Sequence, residues 1–448
     1  KFIIFLSAIL YFIGIFFVTK STIRSNVIPI LIAAVMLIFQ KNFGDTDYPS
    51  LVFSEHTYGM VSLAIITCVC GLLFSGNLFY VGFLSSLLVC IHPLIGIWAS
   101  SILVICIIMN KYFFKFNLDI KSLGKGYILG ILFTIISLIY YLITAAEIIS
   151  YFDPESYNNY MKFWEGHRNE NEIHTEYLLK TLVLFIFALL SLTKFSNSFS
   201  KNFKFGILFV LTSITISTIL YFLYKLFLPI LPDFFIRLMP SRFTILHSVI
   251  GWPIILAILF VIGQKIKFKS FVPNNFGYIL VIFLIFYYTA SHYKTVIKIN
   301  NLFINNTFGQ VKLFEDNDFW VSVNKIKFDG YILTSFSSST ISMRKTLKPI
   351  ILDVSSLDFV PYFPNTAKSM SLIIEEIYGI PFANPPKEIK NNPFLTDENI
   401  KNNFEIYSNN NWEMLSKKFN FHAIIIPKDW NINIDPKVIG KRFTLYII

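Results

Sequence analysis

The run Tyr127-Ile128-Leu129-Gly130-Ile131-Leu132-Phe133-Thr134-Ile135-Ile136-Ser137-Leu138-Ile139-Tyr140-Tyr141-Leu142-Ile143-Thr144-Ala145-Ala146-Glu147-Ile148-Ile149 decides the class of this chain. It carries one carboxylate and no cation over 23 residues. As a helix it is long enough to cross a hydrocarbon core of ~30 Å.

Nine more apolar blocks share its character: Phe2 to Val18, Val27 to Phe39, Thr57 to Phe74, Leu78 to Ile91, Leu94 to Met109, Tyr177 to Thr193, Phe205 to Phe227, Phe243 to Gly263 and Phe276 to His292. The second and fourth segments of the chain, Val27 to Phe39 and Leu78 to Ile91, are short and are expected to tilt or to span only in part. The pattern predicts a polytopic α-helical membrane protein of about ten transmembrane helices, with a transmembrane domain over residues 1–299.

Composition agrees. Hydrophobic residues make up 54% of the 448 and charged residues 15%, with a mean hydropathy of +0.60. A soluble globular protein carries about 25% charged residues, so that class is excluded. The net charge of +11 would suit a nucleic-acid partner only if it formed a basic face or stripe. Much of it lies instead in short loops between apolar blocks, which is a topology signal, and no nucleic-acid partner is expected. Cys68, Cys70, Cys90 and Cys106 all fall inside apolar blocks, away from any His or carboxylate at ligand spacing, and read as helix packing.

The loops alternate in basic content. Lys20 and Arg24, then Lys111, Lys115, Lys121 and Lys125, then Lys194, Lys201 and Lys204, then Lys265, Lys267 and Lys269 belong to one set. Lys41, Lys162, Arg168, Arg237 and Arg242 belong to the other, with Lys180 and Lys225 on its flanks. Twelve cations against five to seven make the first set cytoplasmic. Parity then places residues 300–448 outside, in the periplasm or beyond a bacterial inner membrane. It also places Lys1 outside, so at least one helix and one external loop are expected before it.

From Phe328 onward short β-rich runs appear (Gly330 to Thr334, Pro349 to Val354, His422 to Pro427, Phe443 to Ile448), separated by helical stretches at Ala367 to Tyr378 and Trp412 to Phe419. They predict a C-terminal extracytoplasmic α/β domain. Asn384 to Asn411, rich in Asn, Pro and Lys, reads as a solvated excursion within it.

Polar residues near the outer boundary are the candidates for chemistry, because their presence there is costly. Asp45 and Asp47 stand in a turn set by Gly44 and Pro49; they can hold a divalent cation such as Mg or Mn, supply a general base, or simply be solvated. His92-Pro93 breaks a helix where freed backbone must meet protein or water, so His92 either lines a site or is a satisfied turn residue. The loop Ser150 to Glu176 carries Trp164, His167 and Arg168 and suits an amphipathic element lying at the interface and facing a sugar or lipid phosphate. Asp233, Arg237 and Arg242 flank two helix ends, where arginine donates bidentately to phosphate or else snorkels. No phosphate-binding glycine loop, dinucleotide fingerprint or zincin pattern occurs.

Three stretches resemble the GT-C superfamily of membrane glycosyltransferases, within a bacterial branch: Ile91-His92-Pro93-Leu94-Ile95-Gly96, His167-Arg168, and Arg237-Leu238-Met239-Pro240-Ser241-Arg242-Phe243. Trp412-Glu413-Met414-Leu415-Ser416, the strand His422 to Pro427 and Leu445-Tyr446 are similar to its external domains. The resemblance implies a polyprenyl-phosphate-linked sugar donor, an acidic base and a glycan, lipid or protein acceptor at the outer face. In that family the base usually sits in the first external loop, which parity places before Lys1. Asp45 and Asp47 occupy the next one, as base or as auxiliary, metal-binding carboxylates. His92, His167, Arg168, Asp233, Arg237 and Arg242 would bind substrate and the leaving phosphate. Two rival expectations are a polysaccharide polymerase or ligase using lipid-diphosphate oligosaccharides, and a non-catalytic membrane transporter or scaffold.

Overall fold

The computed structural model describes residues 2–39, 58–145, 152–166, 175–227, 230–231, 243–265, 282–283, 286–287, 290, 316–353 and 355–448. The chain divides into two compact units, one of Lys1–Ala145 with Asn171–Val311 and the other of Ala146–Glu170 with Lys312–Ile448.

The first unit is helical. Its elements are α1 (Phe2–Lys20), α2 (Val27–Phe39), α3 (Tyr58–Ser75), α4 (Leu78–Ile91), α5 (Pro93–Met109, prolonged by a π turn at Asn110–Phe114) and α6 (Ile120–Ala145). After α7 (Pro154–Phe163), which belongs to the second unit, follow α8 (Thr175–Leu192), α9 (Lys201–Phe227), α10 (Ile245–Ser248) and α11 (Gly251–Lys265). Among the described residues, four stretches are long and apolar enough to cross a membrane: Phe2–Lys20, Pro93–Phe114, Ile120–Ile143 and Lys201–Phe227. Five shorter apolar helices accompany them. Nine of the ten apolar blocks thus coincide with helices, and the block Phe276 to His292 lies largely outside the described residues.

Lipid is as apolar as leucine, so membrane helices gain by close packing rather than by hiding apolar surface, and small residues mark where they meet. Gly82, Ser86 and Cys90 of α4 face Gly126, Gly130 and Thr134 of α6. A Cβ on Gly126 would stand 1.9 Å from the Phe79 carbonyl oxygen, and one on Gly82 would stand 2.2 Å from that of Leu123. Thr134 Oγ1 donates to the Ser86 carbonyl at 3.0 Å, and Cys90 Sγ donates to Thr134 Oγ1 at 3.2 Å. Gly14 of α1 meets Thr67 and Gly71 of α3 in the same way. The far side of α6 exposes Ile128, Ile136 and Tyr140, as a lipid-facing helix must.

The expected helix over Phe243 to Gly263 is broken. The α10 turn ends at Ser248, Val249 and Ile250 form a turn, and α11 begins at Gly251. Pro253 supplies the cause, because it has no N–H to donate to the carbonyl of Val249.

The second unit holds α12 (Asn317–Lys325), β1 (Tyr331–Thr334), α13 (Phe336–Thr346), α14 (Ala367–Leu372, continued by a π turn at Ile373–Ile377), α15 (Lys401–Ile406), α16 (Asn409–Phe419), β2 (Phe421–Pro427), β3 (Pro436–Ile439) and β4 (Phe443–Ile447). The sheet order is β1-β2-β4-β3, with β1 parallel to β2 and the other pairs antiparallel. Pro349 to Val354, expected as a strand, contributes one isolated bridge between Ile350 and Ile332, and Val354 is outside the described residues. The stretch Asn384 to Asn411 is no solvated excursion. It buries Ile389, Leu395, Ile400 and Phe404, and the Phe404 ring lies 5.2 Å from Trp412 and 5.5 Å from Trp430. The polar residues of that stretch outnumber these anchors, but four buried apolar side chains suffice to pin it.

Helix α7 also departs from expectation. Asp153 caps it and Pro154 opens it, in keeping with the preferences of a helix start. Its apolar face does not lie on lipid: Tyr157, Tyr160 and Met161 are buried within the second unit, and Ser156 Oγ stands 3.3 Å from Ser371 Oγ of α14. Trp164 is 0% exposed, stacks on Phe382 at 5.2 Å and donates its indole N–H to the Phe382 carbonyl at 2.8 Å. The Asn391 N–H donates to the Phe163 carbonyl at 2.7 Å. Burying a tryptophan's 150–250 Å² is worth roughly 4–6 kcal/mol. The strap 152–166 and the C-terminal segment are therefore one folded body, on one side of any membrane the chain spans.

Candidate functional site

Of the residues singled out in the sequence, Asp45, Asp47, His167, Arg168, Asp233, Arg237 and Arg242 lie outside the described residues. His92 is described. It is the one residue between α4 and α5, it is buried, and its Nδ1 accepts the Ile95 N–H at 3.4 Å. Pro93 occupies the first turn of α5, where no N–H is needed. Gly96 lets the two helices close up, since a Cβ there would stand 2.5 Å from the Val89 nitrogen. His92 thus closes a one-residue hairpin.

A second histidine, His247 on the short α10, sits at the centre of a buried polar chain. Its Nε2 lies 2.6 Å from the Tyr177 hydroxyl of α8, and its Nδ1 lies 2.9 Å from Ser213 Oγ of α9. All three side chains are buried. Both ring nitrogens are satisfied, and hydroxyl, imidazole and hydroxyl form a line along which a proton can pass.

The break that precedes α11 leaves carbonyls without helical partners, and neighbouring helices supply donors. Ser217 Oγ and Trp98 Nε1 both donate to the Phe243 carbonyl at 3.1 Å, and the Trp98 ring stacks on Phe243 at 4.0 Å. Cys70 Sγ reaches the Leu246 carbonyl at 3.7 Å. Irregular backbone among membrane helices persists only when satisfied in this way. Phe243 is the residue directly after Arg242, so the chain emerging from Arg237 to Arg242 is fastened at its first described residue.

Beside this junction, α8 and α9 enclose an open groove of about 360 Å³ lined by Leu178, Thr181, Leu182, Phe185, Ile214, Thr215, Thr218 and Ile219. Thr181 stands one helical turn from Tyr177, and Ile214 follows Ser213. Its lining is apolar apart from three threonines, and the Thr181 hydroxyl is buried with no partner among the described residues. The groove is thus open and almost wholly apolar.

The second unit contains a different polar cluster, where β1 runs into α13. Ser339 and Thr340 hydroxyls donate to Asp353 Oδ1 at 2.7 and 3.2 Å, and Ser355 donates to Oδ2 at 2.8 Å. The Ser337 N–H donates to Asp397 Oδ1 at 3.0 Å. Burial, together with these two carboxylates, pushes the Tyr378 hydroxyl above its ordinary range. Both carboxylates spend their oxygens on scaffold hydroxyls, so this cluster holds loops in place. Among the described residues no three His, Cys, Asp or Glu side chains are grouped as metal ligands.

Sequence reasoning missed His247. The usable signal was an ionisable side chain inside an otherwise apolar block, Ile245-Leu246-His247-Ser248, which at membrane depth is a functional hypothesis in its own right. Compared with known proteins, the chain matches no family model, no curated protein and no solved structure.

Proposed function

We propose that this protein is an integral membrane glycosyltransferase that moves a sugar from a polyprenyl-phosphate donor to an acceptor outside the cytoplasm, working within a bundle of about ten helices in a bacterial inner membrane. The observation that carries this reading is the groove between α8 and α9, which runs beside the Tyr177–His247–Ser213 chain and the fastened start of the segment after Arg242. A lipid-linked substrate needs both parts: an apolar track for its chain and cationic, proton-handling groups for its head. Arg237 and Arg242 are the groups to hold the leaving phosphate, since guanidinium stays charged and donates bidentately. A carboxylate takes the acceptor's proton in an inverting transfer; Asp45 and Asp47 are the candidates on this chain.

Native mass spectrometry of the protein purified in mild detergent tests the reading. A polyprenyl-phosphate adduct, with or without its sugar, is expected on the unaltered protein and is expected to be lost in Thr181→Phe, which fills the groove, and in Arg242→Ala. Retention of bulk phospholipid alone in all three would sink it.

A further inference from the structure

The helical unit carries an unbalanced charge at one end. Asn202, in the first turn of α9, donates from its Nδ2 to the Ser75 carbonyl at the end of α3 at 3.4 Å, and the Phe203 ring meets that of Phe74 at 5.1 Å. Gly126, in the second turn of α6, closes on Phe79 at the start of α4, and Lys204 Nζ lies 6.0 Å from the Phe116 ring. The α3–α4 turn, the α5–α6 connection and the α8–α9 connection are thus neighbours. Four lysines from Lys111 to Lys125 and three from Lys194 to Lys204 fall among them, against a single carboxylate, Asp119. That carboxylate is engaged, since its Oδ1 accepts the Ser122 N–H at 3.0 Å where α6 begins. Among the described residues none of the seven lysines forms an ion pair, and all but Lys204 are exposed.

Like charges crowded together repel, and the cost is lifted when a counter-charge arrives from outside. Position along the helices says which one. Pro93–Phe114, Ile120–Ile143 and Lys201–Phe227 are long and apolar enough to cross a membrane, and they end or begin at these lysines. Cations in the last or first turn of such helices reach headgroup level on their aliphatic stems. The turn after α5 is built for that level. Asn110 Oδ1 accepts the Phe116 N–H at 2.8 Å, its Nδ2 donates to the Phe116 carbonyl at 3.0 Å, and Lys115 takes a left-handed φ of 54°. Beside this clasp Tyr112 and Phe113 stay 63% and 77% exposed, and exposed aromatics next to lysines belong to a membrane interface. Lysines at that depth are drawn to anionic headgroups.

We propose that this end of the helical unit binds anionic phospholipid headgroups, with Lys111, Lys115 and Lys204 around the Phe116 turn as its chief cations. The inference rests on the chain spanning a membrane, and it stands whether or not the protein transfers a sugar. Orientation by charge requires no choice among lipids, whereas a headgroup site does.

Electron spin resonance of the full chain in phosphatidylcholine bilayers reads that choice, as the motionally restricted fraction of trace spin-labelled phosphatidylglycerol or spin-labelled phosphatidylcholine. Phosphatidylglycerol is expected to associate about fivefold more strongly, the worth of one lysine at a membrane surface, and high salt should erase most of the excess. Lys111→Gln, Lys115→Gln and Lys204→Gln combined should bring the two lipids close to parity. The same three positions changed to arginine, which keeps the charge, should preserve the preference. So should Lys387→Gln, Lys417→Gln and Lys437→Gln combined, all exposed on the second unit. Equal association of the two lipids with the unaltered protein would overturn the proposal, as would a preference that survives the glutamine variant or is lost in either control. Tight binding of inositol hexakisphosphate without any lipid preference would overturn it in favour of a soluble polyanion.

Discussion

Helix α4 meets α6 through Gly82, Ser86 and Cys90, whereas α7 meets its own unit through Trp164, and these two contacts resist change for different reasons. In the first, nothing large is buried; the backbones approach until a carbonyl oxygen lies where a Cβ would be. In the second, the chain sinks the largest side chain it has and satisfies its one N–H. The difference follows from solvent. Water drives Trp164 inward, while lipid offers the helices no such drive and leaves only packing and interhelical hydrogen bonds.

This contrast predicts an order of sensitivities. Trp164→Ala should cost the second unit about 3–5 kcal/mol, seen as proteolysis of the strap and a lowered midpoint for the C-terminal segment. The α4–α6 pair should be untouched, and equal destabilisation of both would break the comparison. Gly126→Ala should cost about 1–3 kcal/mol as an overpacking change, measurable by steric trapping in bicelles. A stabilising result there would mean that α4 and α6 do not approach as described. Thr134→Val removes the bond to the Ser86 carbonyl and should cost ~0.6 kcal/mol, at most ~1.7, the range of such bonds in lipid.

The smallest expected effect is one of pH. The Ser156 hydroxyl, above all, holds the Asp153 carboxyl below its ordinary value; Ser156 Oγ donates to it at 2.6 Å. A depressed carboxylate contributes stability above its unfolded value of ~3.9 and loses it as pH falls below that point. The protection of amides at the start of α7, taken relative to intrinsic exchange at each pH, should therefore fall below about pH 4, and Asp153→Asn should flatten that dependence. Protection that stays constant across the range would remove Asp153 as a cap.

The boundaries of α2 and α4 agree residue for residue with the apolar runs Val27 to Phe39 and Leu78 to Ile91, because each run is followed directly by polar residues, Gln40-Lys41-Asn42 and His92. Strands β2 and β4 were equally legible, being apolar and buried in the middle of the sheet. Strand β3 was not, since Pro436-Lys437-Val438-Ile439 is an exposed edge with no buried side chain to mark it. The break before α11 was written in Gly251-Trp252-Pro253 but hidden by the uniform apolarity around it. Of the candidate site, His92 was foreseen as a boundary residue, and its cap on Ile95 belongs to the hairpin. His247 escaped because its partners, Tyr177 and Ser213, are 70 and 34 residues away, a distance over which no local pattern operates.

The bond from Trp164 to Phe382 joins residues 218 apart in sequence, and that spacing sets a timetable for biosynthesis. At about 5–20 residues per second, the ribosome needs on the order of 10 to 40 seconds to deliver Phe382 after it has made Trp164. Throughout that interval the strap lacks the body it belongs to, and Trp164 lacks the ring and carbonyl that it packs on in the finished fold. The last third of the polypeptide therefore completes the packing of a segment made long before it, and a chain truncated before Phe382 leaves the Trp164 indole without the carbonyl to which it donates.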